Sequence, residues 1–157
     1  MSDLADLQKR IDISFKDISL LERAFIHRSY LNEHPKLGLE HNERLEFLGD
    51  AVLELVVTDF LYSNYPNPEG DLTNWRSALV KTESLSEVAE QLELNQYLKL
   101  SRGESKGNER SRALIMANCV EATIGAIYLD QGYEGAKKFI DAQIVAKLPH
   151  ILEVGSW

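Results

Sequence analysis

Apolar residues in this chain recur at spacings of three and four, and no segment alternates convincingly with a period of two. That rhythm is the signature of helices burying one face, and it excludes a half-buried sheet as the main architecture. Leu20, Leu21, Ala24 and Phe25 mark one helix, and Leu45, Leu48, Val52, Leu55, Val56 and Phe60 mark a longer one from about 42 to 64. Leu72, Trp75 and Leu79, then Leu85, Val88, Ala89 and Leu92, predict two consecutive helices. A long helix is expected over Leu114–Leu129, and a last one carrying Phe139, Ile140, Ile144 and Leu148. Turn residues cluster at 32–41, 64–71, 101–110 and 130–133. The expectation is an all-α helical bundle with short loops.

At 157 residues the chain is long enough for one domain with a core, and its 44 % hydrophobic content is that of a globular protein. No run approaches roughly 18 consecutive apolar residues, so no membrane partner is expected. The opening MSDLADLQKR lacks the layout of a signal peptide. The single cysteine, Cys119, has no internal partner, which fits a reducing, cytoplasmic setting. The net charge of −8 argues against a polyanionic ligand unless the basic groups are local.

The stretch HNERLEFLGD (41–50) sets Glu43, Glu46 and Asp50 into an otherwise apolar helix. With Asn42 as N-cap, the three acids fall within an arc of about 60°. First-turn acids complement the helix dipole, which accounts for Glu43 and Glu46 but not for Asp50, two turns in. In RALIMANCVEATIGAIYLD, Asn118 and Glu121 also share a face among apolar neighbours. Two core helices with polar spots of the same kind suggest that the spots face each other. Clustered carboxylates repel by roughly 4 kcal/mol at 4 Å and an effective dielectric of 20, so such a cluster takes up protons or a cation. Oxygen donors without His or Cys select a hard ion, Mg²⁺ or Mn²⁺. No CxxC, HExxH or Glu-x-x-His pattern supports zinc or di-iron.

NERLEFLGDAVLELVVTDFLY closely resembles the signature of the ribonuclease III endonuclease domain. FKDISLLERAFIHRSYLNE, NPEGDLTNWRSALVKTESLSEVAEQLEL and ANCVEATIGAIYLDQGY resemble other parts of that family, in the right order. The resemblance covers nearly the whole chain. It implies one domain over 1–157, all-helical and dimerising, without the double-stranded-RNA-binding domain that many family members carry. It implies a Mg²⁺-dependent endoribonuclease that cuts double-stranded RNA to 5′-phosphate and 3′-hydroxyl ends, in processing of ribosomal or messenger RNA, with no small-molecule cofactor. By position, Glu46, Asp50, Asn118 and Glu121 would be metal ligands, with Asp50 and Glu121 the catalytic pair. Glu43 and Glu69 match cleft-lining acids, and Phe47 matches an aromatic at the homodimer interface, against the plain reading of a core phenylalanine. Gly49 and Gly125 would permit close helix approach.

The family usually has Asp where this chain has Asn118. Two readings stand open. Asn118 is a tolerated ligand of a competent enzyme with lower metal affinity, or it marks a weak or inactive protein that binds double-stranded RNA without cutting it. Arg76 and Lys81, expected on one helix, and Arg102, Lys106, Arg110 and Arg112 are the local basic groups proposed for RNA contact. His27, His34, His41 and His150 show no ligand spacing and read as hydrogen-bonding residues.

Overall fold

The computed structural model describes residues 3–155. Among them are nine α-helices: α1 (Leu4–Ile11), α2 (Ile18–Ala24), α3 (Arg28–Glu33), α4 (Glu43–Asn64), α5 (Glu69–Val80), α6 (Thr82–Gln91), α7 (Arg102–Ser105), α8 (Glu109–Gln143) and α9 (Leu148–Val154). Strands are absent from the described residues, and a single isolated bridge joins Ile26 to Lys99.

The two longest helices make the centre. α8 packs along α4, and α6 and α2 cover its remaining faces. Val120, Ala122, Ile124, Ala126 and Ile127 are fully buried, so α8 is apolar on nearly every side because it is surrounded by other helices. By length and composition α8 could cross a membrane, but most of its apolar stretch is buried inside the bundle. α4 buries Leu45, Val52 and Val56 as expected, together with Leu53, Val57 and Leu61, whereas Leu48 and Phe60 are half-buried and Leu55 is exposed.

Four sequence expectations need amendment. The turn expected at 130–133 is a break inside α8: Gly132 takes φ 77° and ψ −169°, a conformation that favours glycine, and the helix then resumes. The expected last helix is split. Phe139 and Ile140 belong to the end of α8, a 3-10 turn covers Val145–Lys147, and α9 starts at Leu148 with Pro149 in its first turn. Proline fits there because first-turn N–H groups have no partner within the helix. Asn42 precedes α4, but its side chain makes no cap. Its amide donates instead to the Ala24 carbonyl at 3.0 Å, tying α4 to the end of α2, while His41 Nδ1 accepts the Glu43 N–H at 3.3 Å. Finally, Lys81 is not on a helix with Arg76 but at the junction between α5 and α6, in extended backbone.

Candidate metal centre at the seam of the long helices

The seam between α4 and α8 is set by two glycines. A Cβ on Gly49 would run into the backbone carbonyl of Glu121 and lie 2.9 Å from the Gly125 nitrogen. A Cβ on Gly125 would collide with the Leu45 carbonyl and lie 3.3 Å from the Gly49 nitrogen. Only residues without side chains let the two backbones touch here. One consequence is that short carboxylates on both helices can meet across the seam.

They do. A pocket of about 520 Å³ is lined by Glu43, Glu46, Phe47, Asp50, Asn118 and Glu121. Glu121 makes a side-chain hydrogen bond with Asp50. Burial pushes the Glu121 carboxyl up to about 9, helped by that hydrogen bond and by the charges of Asp50, Glu46 and Glu54. Burial also raises Glu46, and the charges of Glu43 and Asp50 add to it. Among the described residues, no Lys or Arg forms an ion pair with Glu46, Asp50 or Glu121. Burial and crowding of like charge therefore favour the protonated form of Glu121 when no cation is present.

The donor set fits a hard divalent ion. It consists of carboxylate and amide oxygens, unneutralised, from two rigid helices. Among the described residues, no three His, Cys, Asp or Glu side chains are already drawn in to the spacing of a formed metal centre. That is expected of carboxylates that repel one another without a cation between them.

Other predicted residues lie elsewhere. Glu69, at the start of α5, lines a separate pocket with Tyr62, Tyr65 and Arg76, and within one chain it is not brought to the carboxylates. Phe47 is 82 % exposed, so it is not a core residue. Arg76 pairs with Glu54 at 3.2 Å and donates to Thr58 at 2.8 Å. Arg112 donates to Asn95 at 2.5 Å and to the Ser105 carbonyl at 2.9 Å, a staple at the base of α8. Arg102, Lys106 and Arg110 are exposed around α7. Cys119 is fully buried.

Sequence reasoning missed Glu54 and Arg28. Glu54 continues the acidic stripe of α4 at the spacing Glu43–Glu46–Asp50 sets, a signal that could have found it. Arg28 pairs with Glu43 at 2.5 Å, and nothing local in the sequence announces that partner.

The family model described as Ribonuclease-III-like matches residues 17–148. The chain belongs to the ribonuclease-III-like family. It is 50 % identical over 158 residues to Ribonuclease 3 of Chloroflexus aurantiacus, covering 98 % of this chain and 65 % of that one. It is 47 % identical over 143 residues to Ribonuclease 3 of Streptococcus sanguinis, covering 90 % of this chain and 62 % of that one. This ribonuclease-III-like chain thus spans less than two-thirds of those relatives' length. Its fold matches a nuclease domain of ribonuclease III from Campylobacter jejuni, known for structural flexibility in a region involved in dimer formation. The TM-score there is 0.83 at 36 % identity, covering 94 % of this chain and 99 % of that one. It also matches Dicer from Pichia stipitis, with a TM-score of 0.67 at 31 % identity, over 88 % of this chain and 59 % of that one.

Proposed function

We propose that this chain is the nuclease domain of a homodimeric endoribonuclease that cuts double-stranded RNA, using Mg²⁺ or Mn²⁺, to leave 5′-phosphate and 3′-hydroxyl ends. One observation carries the reading: the carboxyls of Glu46, Asp50 and Glu121, from two different helices, line one pocket, and among the described residues none of the three is paired with a Lys or Arg. The names of the relatives support a nuclease acting on RNA.

Glu46, Asp50, Asn118 and Glu121 would hold the ion, which supplies positive charge at the scissile phosphate and lowers the pKa of water. Glu121 must release its proton to serve as a ligand. Asn118 offers only a neutral oxygen. The residues lining the pocket include no Ser, Cys, Lys or His, so a side-chain nucleophile has no place there, and water is the attacking group. Arg102, Lys106 and Arg110 would meet phosphates away from the acids.

Dimerisation is supported by one face of α4. Phe47, Leu55 and Tyr62 are 82 %, 58 % and 80 % exposed, and they lie within an arc of about 80°. Such a stripe fits a self-complementary two-fold contact, and Phe47 also lines the acidic pocket. Two identical pockets then match the two antiparallel strands of a duplex.

The test is cleavage of a long RNA duplex over a Mg²⁺ titration, with sedimentation alongside. The expected result is cutting that a chelator stops, from a particle of twice the monomer mass. Asn118→Asp should lower the half-saturating Mg²⁺ concentration about fivefold or more, since one added charge at 4 Å is worth about 1 kcal/mol even in bulk water. Duplex binding without cutting at any metal concentration, in wild type and Asn118→Asp alike, would refute the nuclease reading in favour of a binding module.

A further inference from the structure

His27 and Ser29 form a small hydrogen-bonded chain that the metal site does not use. The Ser29 N–H donates to His27 Nδ1 at 3.1 Å, capping α3. Nδ1 is therefore the unprotonated ring nitrogen, and its 2.8 Å contact with Ser29 Oγ is an O–H···N bond with the hydroxyl donating. With its proton committed to the ring, Ser29 Oγ accepts the Ser101 N–H at 2.9 Å. Ser101 Oγ in turn accepts the Glu104 N–H at 3.1 Å, which starts α7. At the other end of α3, Glu33 accepts the Arg102 N–H at 3.1 Å.

This chain joins two regions that the proposed reaction needs together. On one side, Arg28 of α3 pairs with Glu43, at the rim of the carboxylate pocket. On the other stands the segment with Arg102, Lys106 and Arg110. Just before it, the His27 N–H donates to the Lys99 carbonyl at 3.1 Å. α3 has only six residues, yet it is bonded at one end to the cleft rim and at both ends to the basic segment.

We propose that His27 and Ser29 are positioning residues: through Ser101 they clasp the basic segment to α3, and so fix its arginine and lysine charges at a set place relative to the carboxylate pocket. The inference rests on the reading that this segment meets RNA. Opening the clasp leaves the acids where they are and loosens only the grip on the phosphates.

The experiment is steady-state cleavage of a labelled RNA duplex with Mg²⁺ at several salt concentrations, comparing wild type, Ser29→Ala, Ser29→Thr and Glu33→Ala. Loss of the Ser29 Oγ, which removes its bonds to His27 and to the Ser101 N–H, should raise KM about threefold to tenfold in Ser29→Ala. Meanwhile kcat stays at the wild-type value, and log KM rises less steeply with log salt, because fewer basic groups engage. Ser29→Thr restores both. Glu33→Ala, at an exposed position that can change without unfolding the chain, shows the same rise. Wild-type KM and salt dependence in both Ser29→Ala and Glu33→Ala overturn the clasp while the nuclease reading stands. A fall in kcat that Ser29→Thr rescues only together with the melting temperature also overturns it, since that is a fold effect. If wild type cuts no duplex at all, neither reading survives.

Discussion

The α4–α8 seam and the basic segment around α7 are held in opposite ways. In the seam, backbone meets backbone at Gly49 and Gly125, which fixes the helix axes that carry the acidic side chains. The segment is anchored by hydrogen bonds from the Ser101 and Arg102 N–H groups and by the Arg112 staple, while its remaining charges stand in solvent. On the proposed reading, the groups that would gather around an ion sit where two helix backbones touch. The groups that would meet the RNA phosphates sit on a segment held by a few hydrogen bonds.

The comparison breaks most severely if the seam is pushed apart. Gly125→Ala forces the helices to separate, because the colliding atoms are backbone. Overpacking of this kind costs about 3 kcal/mol, equivalent to a fall in Tm of roughly 6–12 °C for a domain of this size. Gly70→Ala is the control: an added Cβ there meets nothing within 4 Å, and the position is helical. It should gain about 0.5–1 kcal/mol instead. Thermal unfolding of both variants measures the contrast, and equal stability would show that the seam tolerates a methyl group and is not what sets the carboxylate spacing.

How far these two regions could be read from sequence follows the same division. The spacing of Leu45, Val52 and Val56 marks α4 to within a residue or so, and the shared arc of Glu43, Glu46 and Asp50 identifies most of the acidic pocket wall. Both are periodic signals, repeated along one helix. Partner choices are not periodic. The Ala24 carbonyl that takes up Asn42, the Glu54 that holds Arg76, and the Asn95 that staples Arg112 are fixed only once helices are packed. Gly132 is instructive in another way. A glycine after Asp and Gln reads as a turn, yet Ala136, Phe139 and Ile140 still have the core to bury against, so the helix continues beyond it.

A smaller effect comes from charge in the seam. In the folded, metal-free chain Glu121 is raised to about 9, above its ordinary value near 4.5, so its protonated form is favoured by folding. A raised acid contributes stability that is complete below the unfolded value and is lost as pH rises toward 9. Glu121→Gln keeps the shape and removes the charge. At pH 8 without metal the variant should be more stable than wild type by about 1 kcal/mol, and the gap should close near pH 5. Added Mg²⁺ should raise the Tm of wild type and leave that of Glu121→Gln unchanged. Loss of stability in the variant at pH 8 would mean that Glu121 forms a favourable contact without the ion, contrary to the repulsion argued for the pocket.

The smallest effect lies at the clasp, and it sharpens the comparison because it runs the opposite way with pH. Burial holds the His27 imidazole below its ordinary value of 6.5. The carboxylates of Glu104 on α7 and Glu43 on α4 pull it up, and Arg28 on α3 and His41 before α4 push it down. The neutral ring is the one that accepts from Ser29, so the clasp is intact above about pH 6.5 and is lost as pH falls through the depressed folded value. Duplex binding by wild type should therefore weaken on acidification below pH 6.5, as the salt-dependent grip relaxes. His27→Asn supplies an amide oxygen that still caps α3 but does not titrate, so the histidine's share of the pH dependence should vanish from it. A titration of the imidazole proton resonances places the transition. If wild type and His27→Asn lose binding in parallel as the pH falls, the imidazole is not the sensor and the carboxylates of the seam alone set the acid limb.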